Sequence, residues 1–290
     1  MAVLSGAVTG GVSRRRMWGD LVVFTVATFA LTWSIVGAYI WNAELATRWL
    51  GPMRLGAPAF YVAVYAPSLM AIVVTAWRYG RRGLVDLFAS LVRVRAGWRW
   101  IALSVLGFPL LCLVVALVQA GMAGSLATFD FRPWWVALPL LLLAGHLLTD
   151  PGALGEELGW RGFALPRLLE LTDARQASLG LGLVWAVWHL PAFYVSSLSQ
   201  ADLNFLLFVL RVLAYSVFMT WLFVNTRGSV LWAGVVPHMM FNAAPRAGIA
   251  SVDWVVIAAG VVVLVLTGRH MRGRGRPAAE LPQSRLLRGR

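Results

Sequence analysis

Uncharged runs of about twenty apolar residues recur along the chain, separated by short segments that carry arginine. The runs are Leu21–Trp41, Ala57–Trp77, Trp100–Gly121, Pro133–Glu157, Ser178–Ser196, Leu203–Val224, Ser229–Pro245 and Val252–Gly268. An α-helix rises about 1.5 Å per residue, so roughly 20 residues cross the hydrocarbon core of a bilayer. Strands of a membrane barrel would alternate apolar and polar positions in shorter segments, and these runs are continuous. The pattern predicts an all-α, polytopic membrane protein with about eight transmembrane helices.

Composition agrees and adds an orientation. With 60% hydrophobic residues, 13% charged residues and a mean hydropathy of +0.75, too little polar surface remains to coat a soluble globule. All 25 basic residues are arginine and the net charge is +13. A nucleic-acid partner is excluded by their distribution. They sit between apolar runs, where they fix orientation and meet anionic lipid head groups at the cytoplasmic face. With the N-terminus inside, 20 arginines fall on inner segments: Arg14 to Arg16, Arg78 to Arg99, Arg161, Arg167, Arg175, Arg227 and the seven from Arg269 onward. The outer loops hold four, Arg48, Arg54, Arg132 and Arg246, and Arg211 falls within a run. The positive-inside rule then places both termini in the cytoplasm of a multi-pass cell-membrane protein. Leu21–Trp41 is too long for a cleaved signal segment and reads as a retained first helix. The single Cys112, inside an apolar run, implies no disulfide framework. The chain divides into a cytoplasmic tail 1–20, helices over 21–130, a core over 131–270 and a basic tail 271–290 expected to be disordered. Loop 78–99 has an amphipathic stretch, Gly83–Val94, suited to the membrane interface.

Ionisable groups in such runs are costly and so mark function. Three clusters carry them. Glu156 and Glu157 are adjacent, with Arg161 a helical turn later, so one carboxylate can be held by the arginine while the other faces elsewhere. His189 lies deep in its run with Trp185 four residues earlier on the same face, and His238 and Asn242 share a face in the same way. Taken singly, each also reads as a salt bridge, a core histidine or interhelical glue. Together, two carboxylates, two histidines and an asparagine make up a set suited to activating water and holding an oxyanion. His146 reads as structural, and Arg211 as either snorkelling or paired.

The segments EELGWR (Glu156–Arg161), WAVWH (Trp185–His189) and HMMFN (His238–Asn242) resemble, in order, the three motifs of the CAAX prenyl protease and bacteriocin-processing (CPBP or ABI) family of intramembrane proteases. The resemblance covers about residues 135–245 and makes the core over 131–270 the catalytic part. It implies a membrane-embedded endopeptidase acting on a peptide or membrane-protein substrate. Glu156 would activate the water and His189 would help hold the water or the substrate. His238 and Asn242 would stabilise the oxyanion, and Glu157 and Arg161, with Trp185 in support, would organise the site. Which glutamate is the base stays open, with the family favouring the first. The family is often labelled metalloprotease, and Glu156, His189 and His238 are the candidate ligands for a Zn²⁺ ion. The residues work as a water site without it. The rivals are a catalytically silent scaffold or bacteriocin self-immunity protein, and a proton-coupled transporter.

Counted from Pro133, Glu156 would lie at the inner membrane edge while the histidines lie near mid-depth. Convergence requires a tilt or a break at Asp150-Pro151-Gly152. The expected result is a conical, cytoplasm-facing cavity with Glu156 close to both histidines.

Overall fold

The Ser13 hydroxyl accepts a hydrogen bond from the Arg16 amide at 3.2 Å and so caps helix α1 (Arg14–Trp41). This is the first element of the computed structural model, which describes residues 12–124, 150–243 and 253–267. Then follow α2 (Ala43–Leu50), α3 (Pro58–Leu91) and α4 (Trp98–Met122). After residue 150 come α5 (Pro151–Glu157), a π-helical turn (Leu158–Ala164) and α6 (Leu165–Leu171), which make one continuous helical path. Helix α7 (Ala174–Trp188) ends in a 3₁₀ turn (Leu190–Tyr194), and α8 (Phe205–Asn225) follows. A second π-helical turn (Leu231–Val235) leads into α9 (Val236–Ala243), and α10 (Asp253–Thr267) closes the set.

The protein is a polytopic membrane protein. Five described helices are long and apolar enough to cross a bilayer: α1, α3, α4, α7 with its extension to Tyr194, and α8. Exposed tryptophans form belts at both ends, with Trp18, Trp77 and Trp98 at one and Trp41 and Trp49 at the other. Trp18 and Trp41 lie about 35 Å apart along α1 at 1.5 Å per residue, enough for a hydrocarbon core.

Contacts between distant residues sort the bundle into two ends. At the first, buried Asp20 accepts from the Tyr79 hydroxyl and pairs with Arg78 (3.4 Å) and Arg167 (3.6 Å). Arg14 donates to Leu171 O at 2.9 Å, Arg93 to Arg227 O at 2.7 Å, and Ser229 to Arg93 O at 2.7 Å. At the opposite end Tyr39 donates to Gly51 O (2.6 Å) and Ser197 to Met53 O (2.7 Å), around a small apolar cluster of Val36, Met53, Ala63 and Val195. The arginines therefore collect at the first end, while Arg48 and Arg54 belong to the second.

Prolines shape the interior. Pro67 cannot donate to Ala63 O, and the Thr32 hydroxyl does so instead at 2.8 Å while accepting from Trp188 Nε1 at 2.9 Å. Each π-helical turn ends two residues before a proline, Ala164 before Pro166 and Val235 before Pro237. A proline removes one helical hydrogen bond and crowds the carbonyl four residues back, so the preceding turn widens.

Several expectations change. Helix α1 starts at Arg14, ahead of Leu21, because buried Asp20 has arginine and tyrosine partners. Past a break at Gly80 (φ 58°), the 78–99 segment stays helical to Leu91, burying Gly83, Leu87 and Ser90 while Val85 and Phe88 stay exposed. Within the span expected over Pro133–Glu157, the described part is a helix that begins at Pro151, capped by Asp150, and continues through the π-helical turn to Leu171, so Arg161 and Arg167 are buried in the bundle rather than in a loop. Residues 133–149, with His146, and the tail 271–290 lie outside the described residues. Among the described residues the cavity lining runs from Thr32 and Tyr215 within the bundle to Met53, Arg54 and Ser199 at the end remote from Arg14 and Arg78.

Close approach at Gly159 is a stability determinant, since a Cβ there would stand 2.5 Å from the Pro67 backbone carbonyl. Gly159→Ala is expected to cost about 1–3 kcal/mol by overpacking, read as a lower thermal midpoint in detergent. An unchanged midpoint would contradict this packing.

Candidate active site

Asp150 starts the site. It is the N-cap of α5, with its Oδ1 accepting from Gly152 N at 3.0 Å, and Pro151 occupies the first helical position. Starting the helix here puts Glu156 and Glu157 in its second turn, inside the bundle. The break considered at Asp150-Pro151-Gly152 is therefore a helix start, and it removes the depth mismatch between Glu156 and the histidines.

The two glutamates separate, as their flanking arginine suggests. Glu157 is fully buried and accepts from Arg161 (2.9 Å) and from His238 Nδ1 (2.7 Å) on the same Oε1. Its other oxygen lies against Gly234 of the second π-helical turn, where a Cβ would come within 2.8 Å of it. Arg161, also fully buried, stacks its guanidinium 4.3 Å from the centre of the Trp185 ring. Glu156 instead lines the cavity and accepts from Trp185 Nε1 at 2.5 Å.

His189 and His238 face the same cavity. A carbonyl oxygen only accepts, so the contact of His189 Nδ1 with Trp185 O at 2.9 Å puts the proton on Nδ1 and leaves Nε2 as an acceptor. His238 directs Nδ1 at the Glu157 carboxylate, which leaves its Nε2 edge free of that bond. The Trp185 indole ties the set together: it bonds Glu156, and its ring centre lies 5.3 Å from that of His238 and 6.1 Å from that of His189. Asn242 Nδ2 donates to both oxygens of Asp150, at 2.9 and 3.2 Å.

These groups meet over Gly152. The point a Cβ would occupy there lies 3.2 Å from Asp150 Oδ1 and 3.3 Å from both Glu156 Oε1 and Asn242 Nδ2. A glycine is needed because any side chain would fill this space. The surrounding cavity, about 590 Å³, is walled by Phe60, Val64, Trp188, Phe208, Tyr215 and Phe241 among others. This is a mostly apolar pocket with a few convergent polar groups.

The expected residues Glu156, His189, His238 and Asn242 all line this cavity, with Trp185 beside them, and Glu157 and Arg161 stand behind His238 and Trp185. Arg211, left open between two readings, pairs with Asp253 at 2.8 Å. Asp150 was missed as a site residue. Its sequence signal, an aspartate directly before proline, marks a helix start but gives no hint of the contact with Asn242 from a distant segment. For a metal the arrangement fits poorly. Among the described residues no three His, Cys, Asp or Glu side chains are placed to hold an ion.

Residues 131–244 match the family model described as Type II CAAX prenyl endopeptidase Rce1-like. The chain is 28% identical over 170 residues to CAAX prenyl protease 2 of Methanococcus maripaludis, a match covering 54% of this chain and 59% of that protein. The chain thus spans somewhat under two thirds of the length of that curated relative.

The two glutamates should respond differently to neutralisation. Glu157→Gln leaves the buried Arg161 cation without its carboxylate, an expected loss of about 3–5 kcal/mol. Glu156→Gln removes a charge that accepts from the neutral Trp185 indole, and stability should stay within about 1.5 kcal/mol of the parent. Thermal unfolding of both variants in the same detergent measures the contrast, and equal shifts would contradict it.

Proposed function

We propose that this chain, whose residues 131–244 belong to the Rce1-like family of CAAX prenyl endopeptidases, is a membrane-embedded endopeptidase using a water activated by Glu156. The observation that carries the reading is the convergence of Glu156 Oε1, Asp150 Oδ1 and Asn242 Nδ2 over Gly152, inside a cavity whose wall also holds His189 and His238.

Glu156 takes a proton from the water as it attacks the scissile carbonyl, and later delivers that proton to the departing amine. His189, with Nε2 as acceptor, orients the water or a substrate amide. The developing oxyanion is met by Asn242 Nδ2–H. It is also met by His238 Nε2–H in the imidazolium form, which the Glu157 carboxylate stabilises from the opposite ring edge. Asp150 is a positioning residue. Its carboxylate only accepts, so it fixes the Asn242 amide with nitrogen toward the site. Glu157 and Arg161 hold His238 and Trp185 in register. The donor arrangement favours no metal ligand set, and no step is routed through one.

A transporter would need a path reaching both faces, and the described lining comes from one end of the bundle only, which favours the hydrolase. The substrate is a peptide or membrane protein presented to a multi-pass protein in the bilayer.

Purified protein in liposomes, given a peptide library, is expected to show cleavage that falls by about 10²–10⁴-fold in Glu156→Gln and in His238→Ala. Cleavage in the presence of chelator should persist. Equal cleavage by parent and both variants would overturn the assignment. Asp150→Asn keeps the helix cap, since asparagine caps as well as aspartate. It nevertheless loses the constraint on Asn242, so kcat should fall by about tenfold or more with KM little changed. A change confined to KM would place Asp150 in substrate binding instead.

A further inference from the structure

We infer that Thr32 and Trp33, neighbours on α1 and outside residues 131–244, are positioning residues for His189. Their effect on turnover rests on the endopeptidase reading above; their hold on the His189 ring does not.

His189 stands where a helix stops. The last four carbonyls of an α-helix receive no amide from a following turn, and inside a membrane bundle each needs a donor from the protein. At the end of α7 the His189 ring takes Trp185 O through Nδ1–H at 2.9 Å, and the His189 backbone amide takes Ala186 O at 3.1 Å. Pro191 has no amide with which to continue the helix. In a continued helix the Ala192 amide would reach Trp188 O, but it bonds His189 O at 2.9 Å as the chain tightens into the 3₁₀ turn. Trp188 O is left over by that change. The indole of Trp33 reaches across from α1 and donates to it at 3.1 Å.

The side chain of Trp188 is tied to the adjacent α1 position. Trp188 Nε1 donates to the Thr32 hydroxyl at 2.9 Å, and that hydroxyl donates to Ala63 O at 2.8 Å. A hydroxyl has one proton, and Ala63 O takes it, so toward Trp188 the Thr32 oxygen acts only as acceptor. Helix α1 therefore grips Trp188 at both its carbonyl and its indole, one residue before His189. The two rings meet edge to face, with centres 4.7 Å apart at 80°, and Phe208 adds a second edge-to-face contact to the imidazole at 5.1 Å. The Nδ1 bond to Trp185 O leaves the imidazole free to rock about that bond, and the fixed Trp188 face sets its tilt into the cavity. Thr32 and Trp188 are buried, and both line the cavity beside His189. With its proton committed to Ala63 O, Thr32 supports the histidine and takes no part in the reaction itself.

Thr32→Val keeps the branched shape and removes the hydroxyl, Thr32→Ser keeps the hydroxyl, and Trp33→Phe keeps an aromatic ring without the N–H. The ring is read without turnover by ¹⁵N NMR of histidine-labelled protein in detergent. The chain has four histidines, and the His189 signals are those missing from His189→Gln. Parent and Thr32→Ser are expected to share one His189 pattern, with the proton on Nδ1. Thr32→Val and Trp33→Phe should each shift or broaden it while the His238 signals stay in place. Unchanged His189 signals in both variants would overturn the inference. In cleavage assays the same two variants should lower kcat by about tenfold with KM within about twofold of the parent, and Thr32→Ser should keep most of the rate. A lower thermal midpoint with kcat unchanged would reduce the ties to structural ones and equally overturn it. A parent that cleaves no peptide would sink the endopeptidase reading, and the NMR comparison would still decide whether α1 holds His189.

Discussion

A carboxylate carried into a membrane-spanning bundle must find its counter-charges within the protein, because lipid offers none. Glu157 meets Arg161 one helical turn along its own helix and His238 from α9, all three being buried. Removing Glu157 would leave Arg161 and His238 without this shared partner in a medium where that is expensive. Much of the local architecture follows from housing this trio. Gly234 withholds a side chain so that the carboxylate fits, Trp185 spreads its ring under the Arg161 guanidinium, and the same indole reaches across to Glu156. The carboxylate that lines the cavity is thus positioned by the one that does not.

The widened turns supply the space. A regular helix through Leu158–Ala164 would advance by 3.6 residues per turn and hold Arg161 close to the axis of its neighbours. The π-helical turn enlarges the local radius just where Arg161 and Trp160 have to be buried, and its partner at Leu231–Val235 faces it with Gly234. Prolines two residues later make both widenings a consequence of sequence, since neither Pro166 nor Pro237 can supply the missing amide. Where Pro67 similarly frees the Ala63 carbonyl, Thr32 satisfies it and links it to Trp188, next to His189. Backbone defects and polar side chains are matched throughout the site half of the bundle.

What the sequence disclosed divides along the same line. The apolar runs matched α4 and α8 nearly to both ends and α1 at its C-terminal end, because lipid-facing helices carry a continuous signal. Local spacing gave the pairs Glu157–Arg161, Trp185–His189 and His238–Asn242, because residues four apart on a helix share a face. The start of α5 was hidden inside a longer apolar run, since a helix entering from a protein-lined cavity has no polar boundary to announce it. Arg161 and Arg167 looked like loop residues because arginine in an apolar context ordinarily is one. Their burial depends on Glu157 and Asp20, partners the sequence cannot pair with them. Asp150 was legible as a cap but not as the partner of Asn242.

The two ends of the bundle also differ in how firmly they are tied. At the arginine end, Asp20 joins α1 to α3 and α6, Arg14 reaches Leu171, and Ser229 and Trp232 fasten the start of the second π-helical turn to the strand of chain between α3 and α4. These bonds involve charged groups and backbone carbonyls, which are stronger than neutral side-chain pairs. Among the described residues the opposite half has Tyr39, Ser197, a small apolar cluster and the Arg211–Asp253 ion pair. Local opening free energies follow the number and quality of such ties. The trio around Glu157 is thus held within the more firmly tied half of the described bundle, and Glu156, one residue away, inherits that rigidity through the Trp185 indole.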